Sequence, residues 1–150
     1  MVATLIAVLG TLAGAVVAGF MQHLTTTRTA RAAAAERRRQ ALAAAVPALL
    51  AALVRHREQQ YLKIVARREG REDTPQDRQS RYAARSAVTS AMDTLHMVTR
   101  DGALLALAQE AVDAAMAIGD VPAQELDAAG LRARRAHTAL REAGARHLSA

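Results

Sequence analysis

The chain opens on an unbroken apolar block, VATLIAVLGTLAGAVVAGFMQHL, from Val2 to Leu24, and no Asp, Glu, Lys or Arg occurs before Arg28. As a helix this block extends about 34 Å, enough to cross a hydrocarbon core about 30 Å thick. The pattern therefore predicts a membrane-spanning helix over 2–24. A cleaved signal peptide would begin with a basic n-region, which is missing here. A buried core helix would rarely run so long without a charge in so small a chain. Gly10, Gly14 and Ala18 recur every fourth residue, a spacing that lets two membrane helices approach closely. They are the candidate helix-association residues, and they predict a homo-oligomer.

A different pattern follows. Strong helix formers lead from the membrane block into an amphipathic stretch in which Leu42, Val46, Leu49 or Leu50, Leu53 and Val54, Tyr61 and Ile64 or Val65 recur at three- and four-residue steps. The span is expected to continue as a helical stalk to about Arg68, with Pro47 kinking or restarting it. Glu69-Gly70 then breaks the periodicity, and Thr74-Pro75 with Asp77 gives a helix-start signal. The next helix is predicted from Pro75 to about Arg100, with Tyr82, Val88, Met92, Leu95 and Val98 inward. Asp101-Gly102 opens a shorter helix lined by Leu104, Leu107, Ala111, Ala114, Ala115 and Ile118. After Gly119-Asp120-Val121-Pro122, a last helix to about His147 should bury Leu126, Leu131 or Ala133, Ala136 or His137, Leu140 and Leu148. The expected fold is all-α: a transmembrane helix (2–24), a basic stalk with the first amphipathic helix (25–70), and the remaining helices of a small antiparallel bundle (71–150).

Composition changes this picture in one respect. Alanine fills 38 of the 150 positions, against two Tyr, one Phe and no Trp, so the bundle should pack through small side chains around a thin bulky core. Charge adds direction. Between Arg28 and Gly70 there are ten basic residues against three acidic ones, whereas the remainder carries ten against eleven. Arg28, Arg31, Arg37, Arg38 and Arg39 lie within about 20 residues of the apolar block, which places the C-terminal part in the cytoplasm and the N-terminus outside. These arginines are the candidate contacts to anionic lipid of the cytoplasmic membrane. A competing reading has them grip DNA phosphates together with Arg55, Arg57, Arg67 and Arg68.

No catalytic or cofactor motif is present. Cysteine is absent, no phosphate loop or nucleophile elbow occurs, and His23, His56, His96, His137 and His147 are too scattered to share a metal. The histidines are read as solvated or half-buried, and the chain as non-enzymatic.

In its order of parts the sequence resembles the KilB-like spread proteins of actinobacterial (Streptomyces-type) plasmids. The likeness lies in TLIAVLGTLAGAVVAGFMQ (Thr4–Gln22), the stalk ERRRQALAAAVPALLAALVRHRE and RYAARSAVTSAMDTL (Arg81–Leu95). The resemblance implies a membrane-associated accessory to plasmid transfer that works with other transfer proteins in spreading plasmid DNA through the mycelium. Two other classes share parts of the layout: a phage-type lysis or pore-forming membrane protein, and a soluble helical DNA-binding protein.

Overall fold

The computed structural model describes the backbone of residues 2–149 and the side chains of residues 26–148. The span expected at Val2–Leu24 and the small residues Gly10, Gly14 and Ala18 lie outside the described side chains. The described chain is all-helical, with α1 (Val2–Arg68), α2 (Pro75–Val98), α3 (Gly102–Met116) and α4 (Leu126–Ser149), and two short 3-10 turns, Ala117–Gly119 and Ala123–Glu125, between the last two. It divides into two compact units, Met1–Arg38 and Arg39–Ala150.

In the first unit the described side chains belong to one helical stretch, nearly all of it exposed. The second unit is the bundle. There α1 runs unbroken through Pro47, against the expected kink or restart. Pro47 and Ala43, whose carbonyl the proline leaves without a helical donor, both face solvent, so water can satisfy the freed oxygen. The helix ends at Arg68, and Gly70, with a φ of 68°, turns the chain while the Arg71 N–H bonds the Ala66 carbonyl.

Capping accounts for the other starts. Thr74 and Asp77 form a reciprocal capping box, with the Asp77 N–H donating to Thr74 Oγ1 and the Thr74 N–H to Asp77 Oδ2, both at 3.1 Å, and Pro75 occupies the first turn. Asp101 caps α3 by accepting from the Leu104 N–H at 2.9 Å. The expected single helix from Pro122 begins instead with a 3-10 turn, and the α-helix starts at Leu126.

Ten of the twenty buried apolar residues described are alanine, so the helices close on one another through small faces. The bulky fill comes from Leu49, Leu53, Val88, Leu95, Leu104, Ile118 and Leu140. On α3 the buried stripe is Leu104, Ala108, Ala111 and Ala115, with Leu107 at its edge. Tyr82, 68% exposed, and Leu148, 41%, point outward against expectation; of the alternatives Leu131 or Ala133 it is Ala133 that is buried, with Leu131 42% exposed, and Val54 of the α1 series is 46% exposed. For Tyr82, Leu131 and Leu148 the stripe is set by neighbours: Ala84, Val88, Met92 and Leu95 on α2, and Ala129, Ala133, Ala136, Leu140 and Ala143 on α4. Tyr82 and Leu131 lie two positions from stripe members, on the opposite side of a 3.6-residue turn, whereas Leu148 lies in the last turn of α4, five positions beyond Ala143. Among the described residues one helical stretch, Gly102–Gly119, is long and apolar enough to cross a membrane. It holds Leu104, Ala108, Ala111, Ala115 and Ile118 in the bundle core and packs most extensively on α4.

The ends of α3 and α4 are joined by an ion pair. His147 Nε2 lies 2.8 Å from Asp101 Oδ2, and its Nδ1 lies 3.0 Å from the Ala143 carbonyl, so both ring nitrogens donate and the imidazolium form is favoured. The Asp101 hydrogen bond, then that to Ala143, raise the His147 pKa. The Leu104 N–H, then His147, lower that of Asp101. Because His147 is raised on folding, its contribution is complete below the ordinary histidine pKa of about 6.5 and is lost as pH climbs through the folded value. The Asp101 contribution is complete above the usual carboxyl range of about 4 and is lost on acidification. The stability difference between the native chain and His147→Gln should therefore be larger at pH 6 than at pH 8. Equal differences in denaturant titrations at the two pH values would contradict this role for the pair.

Candidate functional site

The five arginines Arg28, Arg31, Arg37, Arg38 and Arg39 are all exposed on α1. Arg28, Arg31 and Arg38 fall within an arc of about 80° on the helix wheel, while Arg37 points the opposite way. Four of them lie in the first unit, and Arg39 begins the second. A one-sided cationic stripe on a helix suits a flat anionic surface or a phosphate backbone equally well.

A second feature was not anticipated from the sequence. One turn of α1 carries His56, Arg57 and Gln60, and each has a buried polar atom without a hydrogen-bond partner: both ring nitrogens of His56, Nη1 of Arg57 and Oε1 of Gln60. His137 Nδ1, on α4, is in the same condition. Buried polar atoms are normally paired, and orphans concentrated on one turn call for an explanation. His56 is only 2% exposed, contrary to the solvated or half-buried state expected of it. Its register explains this, since it continues the inward series Leu49, Ala52 and Leu53 by steps of three and four. Burial, and then the nearby Arg85 charge, push the His56 pKa down, so the ring is held neutral. Burial likewise lowers Arg57 and His137, the latter also through Arg57 and Arg141.

His56 and Gln60 form the wall of a cleft of about 300 Å³ where the C-terminal part of α1, the start of α2 and the 3-10 turn after α3 meet. Lys63, Arg78, Arg81 and Arg85 line it as cations, with Asp120 as the one carboxylate. Two of the cations are engaged locally: Arg81 pairs with Asp73, and Arg78 donates to the Asp73 carbonyl at 2.7 Å. Tyr82 stands at this cleft, its ring largely in solvent. Gly119 makes room for the Gln60 side chain, because a Cβ there would come within 2.5 Å of Gln60 Oε1. The cleft thus combines cationic side chains, an exposed aromatic ring and neutral polar groups that lack partners.

Comparison with known proteins bears on residues 43–148, a range that includes the residues of this cleft. The KilB plasmid transfer protein family matches residues 43–148, which takes in the four-helix bundle almost completely. The chain is similar to Protein KilB of Streptomyces lividans, 38% identical over 100 residues, or 65% of each chain, so it spans about two thirds of that protein's length. No solved structure matches it.

Proposed function

The chain belongs to the KilB plasmid transfer protein family, and from that premise we propose that it is a non-enzymatic, membrane-anchored accessory of plasmid transfer acting in the spread of plasmid DNA through the mycelium. The observation that carries this reading is the family match across the bundle, joined to an N-terminal block with no charge before Arg28. In this account Val2–Leu24 crosses the cytoplasmic membrane with the N-terminus outside. The stripe of Arg28, Arg31 and Arg38 lies against anionic headgroups, each arginine adding up to about 1 kcal/mol of attraction, and holds the chain in that orientation. The bundle then stands on the cytoplasmic side as the docking body for other transfer proteins.

Self-association fits the same account. On α1 of the bundle, Val54, Leu62 and Val65 are 46%, 54% and 42% exposed and fall on one side of the helix. A second copy of the chain would cover them, in concert with Gly10, Gly14 and Ala18 inside the bilayer.

Cell fractionation combined with deletion tests the proposal. The full chain should stay with membranes after carbonate washing. A variant lacking residues 2–24 should be released to the soluble fraction and should fail to restore plasmid spread in a deletion strain. Restoration of spread by the soluble variant would contradict the reading.

A further inference from the structure

We propose that the cleft between α1, α2 and the 3-10 turn after α3 is a nucleotide-binding site: Lys63 and Arg85 receive the phosphates, His56 donates to a phosphate oxygen from within, and Tyr82 stacks on the base.

Four observations converge on this occupant. The first is His56, nearly fully buried at the cleft with neither ring nitrogen partnered. A neutral imidazole carries one N–H, and in this position it has no acceptor in the protein to give it to. The second is charge. Among the described residues Lys63 and Arg85 have no carboxylate partner, whereas Arg81 is held by Asp73, so two cations at the cleft remain available to an anion. The third is size: about 300 Å³ is at the lower end of small-molecule sites and exceeds what one inorganic phosphate fills. The fourth is chemical contrast within the cleft. Gln60 Oε1 is a buried acceptor without a donor, and it would repel a phosphate oxygen but welcome a ribose hydroxyl or a base amino group.

Tyr82 decides between a bare anion and a nucleotide. The chain has three aromatic side chains of Phe, Tyr and Trp type in all, and this one stands 68% exposed beside the cations. A ring left in solvent next to positive charge is a platform for a base, which stacks on it with little regard to base identity. A long polyanion fits less well: the cations sit around one concave site, and Asp120 on the same lining would repel a backbone continuing past it.

The test uses the full-length chain in detergent and an N-methylanthraniloyl-labelled ADP, followed by fluorescence anisotropy, with unlabelled ADP, pyrophosphate and a ten-residue oligothymidylate as competitors. Saturable one-site binding is expected, weakened at least about tenfold by either Arg85→Gln or Lys63→Gln and left unchanged by Arg132→Gln on α4. Tyr82→Ser should weaken ADP about tenfold while leaving competition by pyrophosphate intact. These three positions are exposed or half-exposed, so the variants should fold; circular dichroism melts would verify that, and His56→Phe would extend the series if it folds. Competition by the oligothymidylate with the same variant sensitivity identifies a strand-borne nucleotide as the source and supports the site. No binding at millimolar nucleotide, insensitivity to Arg85→Gln, or pyrophosphate binding as tightly as ADP with no effect of Tyr82→Ser would each overturn the assignment.

Discussion

Leu104→Ala should lower the stability of the bundle by about 2–5 kcal/mol. Leu104 is fully buried at the first turn of α3, one of seven large side chains at the centre of a core whose other half is alanine. Removing its isobutyl group discards the transfer free energy of that group and leaves a cavity with little bulk nearby to refill it. Collapse is further restricted because Asp101, three residues upstream, ties the start of α3 to His147 on α4. Small domains have total stabilities of only about 5–15 kcal/mol, so a loss of this size should reduce the thermal midpoint by about 10 °C or more. Urea or thermal unfolding of the solubilised chain, followed by circular dichroism, would measure it. A loss under about 1 kcal/mol, the range of ordinary surface substitutions and mild packing changes, would mean that Leu104 does not sit in the packed core described here.

Gly144→Ala is the second, and its sign is instructive because two effects oppose one another. Alanine in place of glycine within a helix should stabilise by about 1 kcal/mol. Yet a Cβ at this position would lie 2.7 Å from Val46 Cγ1, and Val46 is itself buried and stiff about its first torsion. Making room requires α1 and α4 to move apart or Val46 to leave its rotamer, at a cost of about 1–3 kcal/mol. Repulsion should win, giving net destabilisation. In a double-mutant cycle with Val46→Ala, which removes the obstructing methyl groups, the coupling should favour the double variant. Gly130→Ala provides the contrast. Its Cβ would meet the hydroxyl of Tyr61, the far end of a half-buried side chain that can swing aside, and the helix preference should then prevail. Stabilisation by Gly144→Ala equal to that by Gly130→Ala would show that α1 and α4 are not closely apposed there.

What the sequence made legible follows from where its physical signals are strong. Thr74-Pro75 with Asp77, Asp101-Gly102 and the break around Pro122 are local chemical statements about where a backbone starts and stops helix, and the observed starts of α2 and α3 coincide with them. Burial was harder to read. Alanine is nearly indifferent to which side of a helix it occupies, so only the few large residues mark a face. On α3 Leu107, expected inward, is half-buried at the edge of a stripe that includes Ala108, and on α4 Leu148, expected in the core, is 41% exposed. Tyr82, expected inward, stands outside because α2 turns Ala84 and Val88 to the core.

His56 shows the opposite failure. Its polarity argues for solvent, yet it is buried at steps of three and four from Leu49, Ala52 and Leu53, and the register of the apolar face prevails. Local rules tend to break at functional positions, and the two departures, a buried imidazole and an exposed phenol, stand at the same cleft.

The central claim, a chain anchored by its opening helix with the bundle on the cytoplasmic side, is most directly tested by topology labelling. The sequence contains no cysteine, so single cysteines introduced at Ala3 and Ser149 would be the sole thiols in each variant. Treated as intact protoplasts with a membrane-impermeant maleimide, the Ala3→Cys variant should label at once, and the Ser149→Cys variant only after permeabilisation. Labelling of Ser149→Cys from outside, or protection of Ala3→Cys until the cells are opened, would contradict the account.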